Sequence, residues 1–188
     1  MYGCVVHGFF YRSIYYCCAI IDGGPGNAEV VTAIKSLGIT CVRGNHDFGE
    51  LFNLSPELCS YLAGLPDSII ENGCIFTHIS PRKKQTKIKD EYEAWNVFDD
   101  TKFRIIFVGH VHVPLVFGSD SGLPTSAKSI PVKEGVPIRL NKDFRYVICV
   151  GAVGYPRDGV RRPRFGIFDD VDGTIEIRST DGPVLDLG

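Results

Sequence analysis

AIIDGGPGNAEVVTAIKSLGITCVRGNHD, residues 19–47, carries the decisive pattern of the chain. AIIDGG is a short apolar run closed by a glycine turn, which reads as a buried strand. GNAEVVTAIKSLG then repeats apolar residues at helical spacing. Val30, Val31, Ile34 and Leu37 form one stripe, Asn27 stands at the N-cap position and Gly38 at the stop. ITCVR, residues 39–43, is a second strand and runs into the polar turn Gly44-Asn45-His46-Asp47. Strand, helix, strand is a βαβ unit with parallel strands. Open α/β sheets place ligands in loops at the carboxyl ends of such strands. The expected class is therefore α/β, and residues 44–47 are the first loop to search for chemistry.

The rest of the chain extends this reading. Residues 48–64 have helical character, with Ser55-Pro56 as a start signal. DSIIENGCIFTHIS, residues 67–80, reads as two strands turning at Asn72-Gly73. Residues 81–100 are charged and mixed, a surface loop plus a helix. FRIIFVGHVHVPLVF, residues 103–117, is a strand, a Gly-His-Val-His loop and a second strand. Residues 119–136 are rich in turns. YVICVGAVG, RFGIFDD and TIEIRS read as closing strands, the last two joined at Asp172-Gly173. There is no internal repeat or linker, so one domain over residues 1–188 is expected.

Composition narrows the function classes. The chain is 44% hydrophobic and 22% charged, with a formal net charge of -2, which gives no electrostatic footprint for a nucleic-acid duplex. No apolar run reaches the length of a membrane span. The N-terminus lacks a basic start and a small-residue cleavage site, so a secretory leader is not expected. Seven cysteines, an odd number with no C-x-x-C pair, sit mostly in apolar runs. That argues for reduced thiols, a cytoplasmic setting and no disulfide framework.

Four of the five histidines follow strand ends. His46 follows ITCVRGN, His78 follows CIFT, and His110 and His112 follow IIFVG. A rigid sheet can aim side chains at one point from such loops. His110 and His112, two apart, point the same way if GHVHVP is extended. Imidazoles with an amide or carboxylate oxygen suit divalent ions of the Mn, Fe or Zn type. Such sites run phosphoester hydrolysis, with paired metals holding a hydroxide and a nearby histidine serving the leaving oxygen.

VRGNHD, FTHIS, VGHVHVP and VGAVGYPRDGVRRPRFGIFD, in this order over residues 19–169, resemble the calcineurin-like metallophosphoesterase superfamily, in particular its small prokaryotic phosphodiesterases. The resemblance implies a β-sandwich flanked by helices. It implies hydrolysis of a small phosphomonoester or phosphodiester by a metal-activated hydroxide on two divalent ions (Mn, Fe, Zn or Ni). Asn45, His78 and His110 would hold the second metal and His112 the first. His46 would be the catalytic histidine beside the leaving group, and Asp47 would orient it. Arg43, Arg157 and Arg164 stand as substrate-side or structural cations.

The family opens with an Asp-x-His strand, a helix, and a Gly-Asp segment whose Asp bridges the metals. Here VVHG matches the first motif only through His7, a metal candidate, with Val5 at the Asp position. Ala19 stands at the bridging Asp. Only 11 residues separate His7 from Ala19, and a parallel crossover needs a dozen or more. The first βα element is thus expected to be shortened or missing. Asp22, the nearest carboxylate, reads as a turn residue. The carboxylate losses leave support for one ion or none. The alternative to an active enzyme is a catalytically impaired member that binds metal or phosphate or serves as an interaction module. A third expectation is a reading frame whose true start lies upstream of Met1.

Overall fold

The computed structural model describes residues 5–8, 14–21, 26–48, 53–120 and 126–182. In chain order the elements are β1 (Val5–Gly8), β2 (Ile14–Tyr16), α1 (Asn27–Ser36), β3 (Thr40–Cys41), α2 (Pro56–Ala63), β4 (Ser68–Glu71), β5 (Cys74–Thr77) and α3 (Glu91–Asp100). They continue with β6 (Ile105–Val108), β7 (Pro114–Asp120), β8 (Lys128–Ser129), β9 (Ile138–Arg139), β10 (Phe144–Val150), β11 (Arg164–Asp169) and β12 (Thr174–Ser179). Two six-stranded sheets form, ordered β3-β2-β1-β11-β12-β9 and β4-β5-β6-β10-β7-β8. This is the α/β sandwich that the sequence suggests. Among the described residues no helix is long and apolar enough to cross a membrane.

Period-two alternation builds the layers. On β10, Tyr146, Ile148 and Val150 enter the main core, while Val147 and Cys149 face the opposite way, into a second cluster with Ala94, Val97 and Phe98 of α3. A row of rings fills the main core. Tyr15 stacks on Phe76 at 4.0 Å between centroids, Phe76 on Phe107 at 5.0 Å, and Phe107 meets Phe168 edge-on at 5.4 Å. Val31 and Ile34 bury the stripe of α1. The helix α2 starts at Ser55, whose hydroxyl accepts from the Leu58 amide, with Pro56 in its first turn. Asp90 caps α3 by accepting from the Glu93 amide at 2.9 Å. The buried Arg145 closes the other end of α3, donating to the carbonyls of Phe98, Thr101 and Phe103.

Several expected boundaries move. The first strand of the βαβ unit is Ile14–Tyr16, upstream of AIIDGG, and it pairs in parallel with Thr40–Cys41. Residues 17–21 continue it outside the sheet, with the amides of Ile20 and Ile21 donating to Asp47. Gly26, at φ 81, caps α1 in place of Asn27. Of the helix expected over residues 48–64, residues 49–52 lie outside the described residues, and the described part is helical over Pro56–Ala63, where the Ser-Pro signal lies. The hairpin between β4 and β5 turns at Asn72 and Gly73, both left-handed (φ 50 and 75), as a two-residue turn requires.

The shortened N-terminus has a topological result. β1 is antiparallel to β2 and parallel to β11. The short link leaves no room for a parallel crossover, so β1 doubles back. Its carboxyl end therefore points away from the carboxyl ends of β2 and β3.

Candidate metal and phosphoester site

β5, β6 and β10 run parallel, so the loops after them open at one end of their sheet. The loop after β3 meets them across the sandwich. Two glycines permit that meeting. A Cβ on Gly44 would lie 2.2 Å from Ala19 Cα, and one on Gly109 would lie 2.3 Å from the Cys17 carbonyl oxygen. Only hydrogen fits in either gap. Asp47, 2% exposed, fastens the contact. Its Oδ1 accepts from the amides of Ile20 (2.7 Å) and Ile21 (3.1 Å), and its Oδ2 accepts from Gly44 (2.6 Å). Burial pushes this carboxyl upward from its ordinary value, against the pull of those three amides and of His46.

Three donor atoms converge at this junction. Asn45 Oδ1 lies 2.6 Å from His78 Nε2 and 3.1 Å from His110 Nδ1, and the two histidine nitrogens are 3.2 Å apart. The imidazoles meet edge to face. His78 Nδ1 lies 3.1 Å from the Cys17 carbonyl oxygen, which can only accept, so Nδ1 carries the proton. His78 Nε2 then presents a lone pair to the lone pairs of Asn45 Oδ1. Asn45 Oδ1, His78 Nε2 and His110 Nδ1 are the atoms that could hold a divalent cation here. A zinc-like ion with bonds of about 2.0–2.1 Å would need donors about 3.3 Å apart, so rotamer shifts would be required for an ion to sit on this triad. Among the described residues no group of three His, Cys, Asp or Glu converges, and the triad depends on its amide.

The histidines sit in strained backbone. His110 and His112 have φ of 65 and 61, in the left-handed region, and the Val111 amide donates back to the Gly109 carbonyl at 2.7 Å. The expected extended GHVHVP is thus replaced by a tight turn on each histidine. Each left-handed non-glycine residue costs on the order of 1 kcal/mol or more, the kind of strain that clusters at functional sites. His112, buried, donates from Nδ1 to the Tyr155 carbonyl at 2.8 Å, which leaves its Nε2 as acceptor.

Electrostatics keep the donors neutral. Burial chiefly, then the neighbouring imidazoles, pull His78 down to about 3 despite its bond to Cys17. Burial, then Lys87, His112, Arg157 and His46, pull His110 down to about 4. The site is therefore uncharged but ringed by cations, a setting that attracts anions. A cavity of about 450 Å³ opens beside it, lined among others by Arg43, Asn45, Phe48, His78 and Gln85.

Asn45, His46, Asp47, His78, His110 and His112 are thus brought to one junction, with His46 exposed beside Asn45. His7 is not. It pairs with Ile14, at the end of β2 away from Cys17, because β1 is reversed; its side chain and that of Val5 lie outside the described parts. Asp22 also lies outside the described residues. Ala19 is a buried methyl against Gly44, so the position that would bridge two metals offers no oxygen. Arg43 binds Asp67 at 2.6 Å and Arg164 binds Asp158 at 2.6 Å, both structural pairs. Arg157 stacks over Tyr155 and its amide donates to the His112 carbonyl. The sequence reading missed Cys17, Tyr155 and Lys87. The first two act through backbone carbonyls, which no side-chain motif reveals, and Lys87 lay inside a run read as a solvated charged face.

No family model matches the chain. It is 33% identical over 193 aligned positions to "Uncharacterized protein MJ0912" of Methanocaldococcus jannaschii, covering 88% of this chain and 74% of that protein. Its structure is similar to the crystal structure of a metallophosphoesterase from Sphaerobacter thermophilus, with a TM-score of 0.78, 22% identity, and coverage of 96% of this chain and 89% of the other. The chain belongs to the family of the M. jannaschii protein, and its fold is that of the calcineurin-like metallophosphoesterases.

Proposed function

We propose that the chain binds one divalent metal ion at Asn45, His78 and His110 and hydrolyses a small phosphoester there. The convergence of three lone-pair atoms within 2.6 to 3.2 Å carries this reading. An ion held by this triad would supply Lewis-acid polarisation of a phosphoryl oxygen. Lys87 and Arg157 draw the anionic ester in, a water attacks phosphorus and gives its proton to solvent as the ester P–O bond breaks, His46 donates a proton to the departing oxygen, and Asp47 holds the turn that carries His46. A second ion does not fit. Two dications about 4 Å apart repel by on the order of 15 kcal/mol at an effective dielectric near 20, and Ala19 places a methyl where an anion would have to stand. That same observation favours the second reading, a catalytically impaired member that retains metal and phosphate binding.

Elemental analysis of the purified chain, with hydrolysis of an aryl phosphodiester in excess manganese, separates the two. The enzyme reading expects one metal per chain and turnover that falls about 100-fold or more in His46→Ala with metal content unchanged. One metal without turnover supports the impaired member. No metal in the parent chain overturns both.

A further inference from the structure

The opposite end of the sandwich holds a second cavity, of about 600 Å³, lined by Arg104, Arg139, Leu140, Asn141, Lys142 and the turn at residues 170–173. Arg104 immediately precedes β6, whose other end leads to His110. Six residues at about 3.3 Å each put the two ends on the order of 15–20 Å apart. We propose that this cavity binds the phosphate group of a small hydroxylated phosphate monoester, independently of the metal corner.

The two arginines at the ends of this region make the contrast. Arg145 places its guanidinium on the carbonyls of Phe98, Thr101 and Phe103 and on the Thr101 hydroxyl, fully met within the protein. Arg104 Nη1 is buried and has no hydrogen-bond partner among the described residues. A guanidinium stays charged in proteins and calls for a counter-charge nearby. Arg104, partly buried on the cavity wall, has no carboxylate partner among the described residues, and an anion in the cavity supplies the missing counter-charge. Arg139 and Lys142, both exposed, add two cations at the same opening. The negative groups are Asp170 and Asp172 on the wall and Glu71 nearby, the last felt with Arg104 and Asp170 by Cys74. Neither wall carboxylate ion-pairs with Arg104. As acceptors they fit hydroxyl donors on the body of the ligand, which is why a hydroxylated ester fits better than bare phosphate.

The walls are built in advance. The Leu140 amide donates to the Gly173 carbonyl at 2.7 Å, and the Asn141 amide donates to the Tyr146 hydroxyl at 2.8 Å. Asp169 Oδ1 accepts from the amides of Val171 (3.0 Å) and Asp172 (2.8 Å), fixing the turn. Both loops are thereby held in place around the arginine without a ligand, which lowers the ordering cost of binding.

The test is amide-resolved NMR on the full, metal-free chain, titrated with inorganic phosphate and with ribose 5-phosphate. The expected result is shifts at residues 140–142 and 171–173, tighter for ribose 5-phosphate. Arg104→Gln should weaken binding about tenfold. Arg139→Gln and Lys142→Gln lie on the surface and guard against a folding defect in the first variant; each should weaken binding about threefold. Shifts confined to the loops at residues 44–48 and 109–112, or binding unchanged in all three variants, would overturn the proposal. Equal affinity for both probes would remove the role of the two aspartates.

Discussion

Asp47 and His110 show two opposite uses of a single side chain. Asp47 is stabilising: three amides end on one buried carboxylate. Asp47→Ala should lower unfolding free energy by about 3 kcal/mol or more, because the amides of Gly44, Ile20 and Ile21 lose their acceptor; urea titration measures it. His110 is costly where it stands, at positive φ. Asn tolerates that backbone better than histidine, so His110→Asn should leave metal-free stability equal or up to about 1 kcal/mol higher while cutting metal affinity more than tenfold. A variant both less stable and fully metal-binding would refute the strain argument. His78 and His110 together set an acid limit. Their folded values, about 3 and about 4, lie below the ordinary 6.5. Below pH 6.5 the unfolded chain therefore takes up protons that the folded chain refuses, and stability falls with pH. By pH 5 the loss should be about 1–2 kcal/mol per histidine, read as the urea midpoint of metal-free protein at pH 7 and pH 5.

At the scale of elements, the site is a contact between loops of two sheets, and glycine decides how close they come. Gly109→Ala would drive a methyl into the Cys17 carbonyl, backbone that cannot swing aside. It should destabilise by about 2–3 kcal/mol and abolish metal binding by displacing His110; thermal unfolding with and without manganese reads both. Much of this scale was legible beforehand. Parallel β2–α1–β3, the Asn72-Gly73 turn and the strand-end histidines follow from periodicity and turn chemistry, which act over a few residues. The left-handed backbone at His110 and His112 was not legible, since that loop is held by contacts remote in sequence, Gly109 against the Cys17 carbonyl and His112 on the Tyr155 carbonyl. Nor was the reversal of β1, which follows from link length only once the pairing partner, β11, is known. The site histidines themselves were legible; which nitrogen faces inward depends on backbone carbonyls that sequence does not display.

At the scale of the molecule, the buried methyl of Ala19 limits what the sandwich can hold. Ala19→Asp would place an unpaired carboxylate in the core beside Gly44. The metal-free variant should lose several kcal/mol, and manganese should restore part of that loss; the melting temperature with and without the ion reports both. The reversed β1 has a different consequence. In its sheet, β1 alone joins the early strands β2 and β3 to the late strands β11, β12 and β9, and Val5 pairs with Phe165. During synthesis this sheet cannot close until nearly the whole chain has left the ribosome, while β4, β5 and β6 can already pair. The molecule should therefore assemble one wall first and seal the other last, with the slow step governed by loop closure between its two ends.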